Sequence, residues 1–130
     1  MSSSPSPPTA LLLIAHGSRR REANEDISFL AEQLRQQGPY AIVMTSYLEL
    51  SEPTIADAGA ECVAQGARRV ILLPYFLSAG VHVREDLADA RLELAKRFPE
   101  VEFLLAEPLG RHPLLQEVVL QRANETLRGQ

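Results

Sequence analysis

Four short runs of apolar residues alternate with longer stretches of helical periodicity along the chain. The first run, residues 11–15, is continuous and bulky, which is typical of a strand buried on both faces. Further apolar runs at residues 41–48, 70–73 and 101–106 predict three more strands. Strict alternation of strands and helices favours a parallel sheet with helices packed on both of its faces.

Each predicted strand is followed by a helical pattern. In residues 21–37, apolar side chains recur at the i, i+4, i+7 spacing of one helix face. The second helix is predicted to begin at Pro53 and to end at Gly66, because proline suits a first turn and glycine a C-terminus. The third helix is predicted to stop at Pro99, and the last spans residues 113–127.

These elements predict an α/β fold, a three-layer flavodoxin-like domain with a four-stranded parallel sheet. Right-handed crossovers leave few arrangements, and we expect the strand order 2-1-3-4 with helices on both faces. Ligands of such sheets bind beyond the carboxyl ends of the strands at the topological switch, here between strands one and three. Functional residues are therefore expected in the loops that follow the first three strands.

Length and charge limit the classes of protein to consider. The 130 residues match a single domain, which we place at residues 10–130 behind a disordered Ser/Pro-rich tail at residues 1–9. A net charge of −4 argues against nucleic-acid or anionic-membrane binding driven by overall charge. The apolar run at residues 11–15 is too short to span a membrane. The lone Cys62 cannot form an intramolecular disulfide, and a free thiol fits the reducing cytoplasm.

Two histidines follow strands at the predicted functional edge. His16 comes directly after the first strand, and His82 follows the third. Glu49 follows the second strand at the same edge. Two neutral imidazoles and a carboxylate facing one cleft suit a transition-metal ion such as Co²⁺, Ni²⁺ or Fe²⁺. The alternative is that the histidines are hydrogen-bonded structural residues and Glu49 is a solvated loop carboxylate.

Charged residues near the histidines extend this candidate site. Glu85 and Asp86 lie three and four positions after His82, so either could orient its ring or merely favour the helix dipole. Arg19 and Arg84 lie near the two histidines, and basic residues at helix N-termini suit an anionic ligand. We therefore expect a basic lip that would accept a molecule carrying several carboxylates.

Two other residues are expected to be structural. Cys62 lies on the inward stripe of the second helix, which indicates a small core residue. His112 precedes Pro113 at the start of the last helix, which indicates a capping role.

Four segments of the chain resemble the class II chelatases of the CbiX/SirB type, which act on sirohydrochlorin. They are Leu-Leu-Ile-Ala-His-Gly-Ser-Arg at 12–19, Tyr-Leu-Glu-Leu-Ser-Glu-Pro at 47–53, Leu-Pro-Tyr-Phe-Leu-Ser-Ala-Gly-Val-His-Val-Arg-Glu-Asp-Leu at 73–87, and Pro-Leu-Gly-Arg-His-Pro-Leu-Leu at 108–115. Each segment alone is weakly specific, but four in this order and spacing are strongly so. The resemblance covers nearly the whole chain after the tail and implies a chelatase-like fold.

The resemblance implies an enzyme that inserts Co²⁺ or Fe²⁺, or in some relatives Ni²⁺, into sirohydrochlorin, towards cobalamin or sirohaem. The metal ion is then a substrate, and no prosthetic group is expected. The resemblance places the family's metal-binding, catalytic histidines at His16 and His82, and its acidic residue at Glu49. The residues expected to bind the carboxylates of the ring are Ser18, Arg19 and Arg84. Longer members hold two such halves, so this single half implies a homodimer with its cleft near the subunit interface.

Three other functions are compatible with the sequence. Residues 14–17 are similar to the Arg-His-Gly motif of histidine phosphatases, but Ala15 replaces the arginine that would grip a phosphoryl group. A non-enzymatic metal or tetrapyrrole carrier could use the same histidines without turnover. A plain flavodoxin-like interaction domain would leave the two histidine motifs unexplained.

Overall fold

The computed structural model describes residues 7–129, and in them four strands alternate with four helices. In chain order the elements are β1 (Thr9–Ala15), α1 (Arg21–Gln37), β2 (Ile42–Tyr47), α2 (Ile55–Ala64), β3 (Arg69–Pro74), α3 (Val81–Arg97), β4 (Glu102–Leu105) and α4 (Pro113–Arg128). The strands are parallel in the order β2-β1-β3-β4, which confirms the predicted sheet and its strand order. No helix in the described part of the chain has the length and apolar content needed to cross a bilayer.

The centre of the sheet is β1, which pairs with β2 on one side and β3 on the other. Leu12 and Ile14 point into the larger core cluster, which is closed by α2 and α3. Leu11 and Leu13 point to the opposite face, where α1 covers β1 and β2. Both faces of β1 are therefore dry, which explains why this strand is apolar at every position.

The N-terminus of α2 differs from the prediction. Thr54 is the N-cap, and its side chain accepts a hydrogen bond from the amide of Asp57 at 3.1 Å. The helix therefore begins at Ile55, and Pro53 lies before the helix instead of in its first turn. A hydroxyl cap satisfies one of the free amides of the first turn, which proline at that position does not do.

The sheet also begins earlier than the predicted domain boundary. Residues 1–6 of the predicted tail lie outside the described residues. The carbonyl of Pro8 accepts hydrogen bonds from the amides of Arg68 and Arg69 at 2.8 and 3.1 Å, and Thr9 opens β1. Backbone pairing with the entry to β3 thus brings the end of the Ser/Pro-rich segment into the domain.

Cys62 is fully buried in the larger core cluster, as expected for a small core residue. Burial raises the pKa of the Cys62 thiol from 9.0 to about 12. The thiol is therefore neutral in the folded protein across the neutral range, and it is shielded from reagents.

We expect Cys62 to resist a thiol reagent at pH 8 in the native protein and to react at once in denaturing urea. Burial of the neutral thiol raises its pKa from 9.0 to about 12. The stabilisation from this burial is therefore complete below pH 9 and declines as pH rises towards 12. Absorbance of the released thionitrobenzoate measures the reaction. Equal rates in buffer and urea would contradict this assignment.

Leu94 and Leu92 give a matched test of the core in α3. Leu94 is 1% exposed and packs in the larger cluster, whereas Leu92 is 45% exposed. Leu94→Ala is expected to lower the free energy of unfolding by about 2–5 kcal/mol through lost burial and a residual cavity. Leu92→Ala should cost less than about 1 kcal/mol. Urea denaturation measures both, and equal losses would contradict the burial of Leu94 in the core.

Candidate active site

The candidate residues collect at the carboxyl edge of the sheet, where β1, β2 and β3 end side by side. His16 follows β1, Glu49 follows β2, and His82 lies in the first turn of α3, after the loop that leaves β3. The topological switch lies between β1 and β3, because α1 and α3 pack on opposite faces of the sheet. The fold therefore places the three residues at the edge where such sheets bind ligands.

The loops after β1 and β2 are joined through their backbones. The amide of Leu48 donates to the carbonyl of Ala15 at 2.9 Å, and the amide of Glu49 donates to the carbonyl of His16 at 3.1 Å. Gly17 has a φ of +99°, and a Cβ there would overlap the Glu49 carbonyl oxygen. Only glycine allows the two chains to approach so closely in this conformation.

Two polar side chains extend the same junction by donating to the backbone carbonyl of Ser18. The Ser51 hydroxyl donates to the carbonyl of Ser18 at 2.6 Å. The Asn24 side-chain amide donates to that carbonyl at 2.9 Å and to the Ser51 hydroxyl at 2.8 Å. Ser18, Asn24 and Ser51 thus tie the β1–α1 loop to both α1 and the β2–α2 loop. The segment that carries His16 is held from two directions.

The imidazole of His16 lies against the ring of Phe76. Their centroids are 4.6 Å apart and their planes are tilted by 34°, which is a close contact between two aromatic rings. Phe76 is half-buried and packs against the larger core cluster, while His16 is exposed. Phe76 therefore contacts one side of the imidazole, and the imidazole stays exposed to solvent.

A cleft of about 280 Å³ lies beside His16. The residues that line it are Ala15, His16, Gly17, Ser18, Ala23, Asn24, Asp26, Ile27 and Tyr75. The held loop thus forms one wall of the cleft and the first turns of α1 form another. A ligand beside His16 would also meet the carboxylate of Asp26 and the ring of Tyr75.

His82 is held much less firmly than His16. It follows the first helical residue of α3, and its side chain is 98% exposed. Its Nδ1 lies 3.7 Å from a carboxylate oxygen of Glu85, which is an ion-pair distance and too long for a hydrogen bond. Of the two predicted orienting carboxylates, Glu85 is the one near the ring.

The three candidate residues share an edge but do not form a compact cluster. Within residues 7–129, no three His, Cys, Asp or Glu side chains lie close enough to hold a metal ion. Glu49 is exposed, and its backbone amide makes the contact with the His16 carbonyl. The joint action of His16, His82 and Glu49 therefore stays a prediction.

The expected basic lip is divided between two places. Arg19 is exposed in the β1–α1 loop. Arg84 donates through Nε to the carbonyl of Ala79 at 3.1 Å and lies 3.6 Å from a carboxylate oxygen of Glu107. Arg84 also lines a second cleft of about 500 Å³, with Arg111 on its rim. Arg19 thus lies in the loop after β1, whereas Arg84 lies in the first turn of α3.

His112 caps α4, as expected. Its Nδ1 accepts a hydrogen bond from the amide of Leu114 at 3.1 Å, and the helix begins at Pro113. Acceptance at Nδ1 requires a neutral ring with its proton on Nε2. This histidine therefore satisfies a backbone donor of α4.

Sequence reasoning missed the residues that hold the site together. Phe76, Asn24 and Ser51 carry no periodic signal, because their contacts join segments that are far apart in sequence. The one available hint was Gly17, since a glycine directly after a strand and a histidine indicates a close backbone approach. Nothing in the local sequence identifies the segment that approaches it.

A family model and the most similar relatives point to the same protein family. The family model described as CbiX matches residues 10–126. Sirohydrochlorin ferrochelatase of Arabidopsis thaliana chloroplasts is 38% identical over 90% of this chain and 52% of its own length. Sirohydrochlorin cobaltochelatase of Methanococcoides burtonii is 30% identical over 90% of this chain and 95% of its own length. The chain spans about half the length of the first curated relatives it matches.

Solved structures agree with this family and with the fold. A CbiX protein of Marinobacter aquaeolei, described as involved in cobalamin biosynthesis, superposes with a TM-score of 0.83 at 29% identity, covering 95% of this chain and all of that one. The sirohydrochlorin chelatase SirB of Bacillus subtilis in complex with cobalt gives 0.82 at 27% identity, covering 90% of this chain and 50% of that one. This chain therefore matches about half of the Bacillus protein's length.

Gly17 and Gly66 provide a matched test of the loop junction. Both have a φ near +100°, but a Cβ at Gly66 would meet nothing within 4 Å. Gly66→Ala is expected to cost about 1–2 kcal/mol of backbone strain. Gly17→Ala adds displacement of the Glu49 carbonyl, so we expect a loss of about 3 kcal/mol or more. Urea denaturation measures the difference, and equal losses would contradict the close approach.

Proposed function

This chain belongs to the CbiX family, and we propose that it is a lyase that inserts a divalent metal ion into sirohydrochlorin. Co²⁺ and Fe²⁺ are the proposed metal substrates, with Ni²⁺ as a further one, towards cobalamin or sirohaem. The relatives named above are sirohydrochlorin ferrochelatases and cobaltochelatases, which supports this reaction. The observation that carries the proposal is an exposed His16 imidazole, held on Phe76, at the topological switch of the sheet.

The reaction makes two demands on the protein. The macrocycle must lose two pyrrole N–H protons while the ion exchanges water for four ring nitrogens, so one M²⁺ enters and two H⁺ leave. Neutral imidazoles meet both demands, because they bind transition-metal ions and accept protons. Holding the ion and the ring together also removes the orientation cost of a bimolecular encounter.

In our proposal, His16 and His82 hold the ion on one side of the macrocycle and receive its protons. The position of His16 is set by two backbone contacts and by the Phe76 ring. His82 is exposed beside Glu85 in the first turn of α3 and is free to follow the ion. Glu49, whose amide is bonded to the His16 carbonyl, would relay protons to solvent or complete the coordination.

Ser18, Arg19 and Arg84 are proposed to bind the carboxylates of sirohydrochlorin. The Ser18 Oγ accepts a hydrogen bond from the amide of Arg20 at 3.1 Å, so its hydroxyl proton is left for a carboxylate oxygen. Arg19 is exposed beside it. Arg84 lies 3.6 Å from a carboxylate oxygen of Glu107. It would exchange this partner for a carboxylate of the ring when sirohydrochlorin binds.

We also propose a cytoplasmic homodimer. The buried free thiol of Cys62 is compatible with a reducing compartment. The first curated relatives are about twice as long as the segment they share with this chain, so a second copy would supply the equivalent of their other half.

The proposed reaction is tested with metal-free sirohydrochlorin and Co²⁺, Fe²⁺ or Ni²⁺ added separately. We expect the wild-type protein to accelerate metallation, followed by absorption spectroscopy. His16→Ala and His82→Ala should each lower the rate by about 10²-fold or more, as expected for loss of a group that binds the metal or accepts the protons.

The third histidine supplies the control. His112→Asn removes an imidazole but keeps a side chain that caps the amide of Leu114, so its rate should equal that of the wild type. Wild-type insertion no faster than the protein-free rate would refute the chelatase proposal. Tight binding of metallated product without acceleration would point to a carrier instead.

A further inference from the structure

Two residues other than glycine adopt a left-handed backbone within residues 7–129, and both lie in loops at the carboxyl edge of the sheet. Leu50, next to Glu49 in the β2–α2 loop, has a φ of +67°, and Arg111, in the β4–α4 loop, has a φ of +69°. A side chain makes this conformation costly, and such costs are concentrated at binding and catalytic sites. Arg111 is the more informative of the two, because it carries a charge at the edge where ligands of this fold bind.

The turn that carries Arg111 favours a different kind of residue. Arg111 occupies the third position of a tight turn over residues 109–112, in which the amide of His112 donates to the carbonyl of Leu109 at 3.3 Å. Glycine or asparagine is the usual residue at such a position when φ is positive. Arginine has no conformational advantage there, so the reason for its presence is to be sought in its guanidinium group.

The β4–α4 loop is fixed against the loop that leaves β3. The amide of Leu109 donates to the carbonyl of Phe76 at 3.0 Å. A Cβ at Gly110 would overlap the carbonyl oxygen of Leu77, so only glycine allows this approach. Phe76 is also the residue whose ring contacts His16. The turn is therefore attached to the segment that supports the candidate site.

A cleft of about 500 Å³ is lined by residues of these two loops and of the first turn of α3. Its charged lining residues are Arg84, Glu107 and Arg111, and Ser78 adds a hydroxyl. With two arginines and one glutamate, the charged groups of the cleft sum to +1, although the chain as a whole carries −4. The cleft is therefore a local basic site on an acidic protein, which suits an anionic group.

The two guanidinium groups of the cleft differ in the partners they have. Arg84 donates through Nε to the carbonyl of Ala79 at 3.1 Å, and its terminal nitrogen lies 3.6 Å from a Glu107 carboxylate oxygen, which is too long for a hydrogen bond. In the part of the chain that the structure describes, no carboxylate lies within ion-pair distance of Arg111. An arginine in this state can bind an incoming carboxylate through two parallel hydrogen bonds.

We propose that Arg111 is a specificity-determining residue that binds a peripheral carboxylate of sirohydrochlorin in this cleft, together with Arg84 and in competition with Glu107. The inference rests on the proposed function and adds Arg111 and Glu107 to it. Glu107 holds Arg84 loosely before the substrate binds, and the carboxylate of the ring takes its place. Because Arg84 follows His82 by two residues in the first turn of α3, a carboxylate held here fixes one side of the macrocycle near that histidine.

Arg111→Asn tests the contact without straining the turn. Asparagine tolerates a positive φ better than most residues, so we expect the free energy of unfolding in urea to stay at or above the wild-type value. The dissociation constant for metal-free sirohydrochlorin, measured by absorption titration, is expected to rise about fivefold or more at low ionic strength. High salt should reduce this difference, because it screens an exposed ion pair.

Arg68→Asn provides the matched control, since it removes the same charge at the opposite edge of the sheet. Arg68 is exposed and directly precedes β3, whereas the cleft lies beyond the carboxyl ends of β3 and β4. The dissociation constant of this variant should stay within about twofold of the wild-type value. A rise equal to that of Arg111→Asn would show that overall charge determines binding, and would overturn the proposal.

Glu107→Gln is expected to change the affinity in the opposite direction. The substitution removes the carboxylate that competes for Arg84 and keeps the size of the side chain, so the dissociation constant should fall about threefold or more. The Glu107 side chain is 86% exposed, so we expect no loss of stability in urea. Weaker binding by Glu107→Gln would show that Glu107 positions Arg84 for the substrate instead of competing with it, and would overturn the proposal.

Binding and metallation assays separate this inference from the proposed reaction. A wild-type protein that accelerates metallation, with an affinity for sirohydrochlorin that Arg111→Asn leaves unchanged, would overturn the carboxylate contact and leave the chelatase proposal intact. An affinity that depends on Arg111 and Glu107 as expected, in a protein that does not accelerate metallation, would support the contact and refute the chelatase proposal alone.

Discussion

The structure depends on the burial of β1 from every direction. Its backbone pairs with β2 and β3, Leu12 and Ile14 pack against α2 and α3, and Leu11 and Leu13 pack against α1. A backbone buried away from water is stable only if its amides and carbonyls are hydrogen-bonded, and a central parallel strand pairs them on both sides. The chain must then leave the sheet at Ala15, at the point where the helices go to opposite faces. The next residue is His16, so the same constraint that builds the core fixes the place of the site.

The precision of the site comes from contacts between loops. Backbone hydrogen bonds join the segments after β1 and β2, and Gly17 permits their close approach. Asn24 bonds to the same carbonyl as Ser51, so a side chain of α1 reinforces the junction. Phe76 links the third loop to the imidazole of His16. Three loops that would each be mobile alone thereby become one support, which is what a group held for metal or proton transfer requires.

The fold could be predicted from the sequence further than the site could. Apolar runs and helical periodicity predicted all eight elements, including the strand at residues 11–15, because burial on one or two faces leaves a local pattern. Pro53 misled the prediction for α2, because proline and the Thr54 cap are both N-terminal signals and only the structure shows which one the helix uses. The contact between Phe76 and His16 joins residues sixty positions apart and leaves no local trace. The sequence likewise does not show that α4 is unburied. An amphipathic pattern indicates that one face of a helix is apolar, but it does not indicate which surface covers that face.

His16 and His82 are held with different firmness, and this difference suits the proposed reaction. The imidazole of His16 rests on Phe76, while the side chain of His82 is 98% exposed and meets Glu85 only at 3.7 Å. A protein site that keeps its metal encloses the ion in a complete set of ligands, whereas a catalytic site leaves positions open. A chelatase must also give the ion away, so its ligands have to follow the ion as the ring nitrogens replace them. One fixed imidazole would define where the macrocycle meets the metal, and one mobile imidazole would let the metal leave.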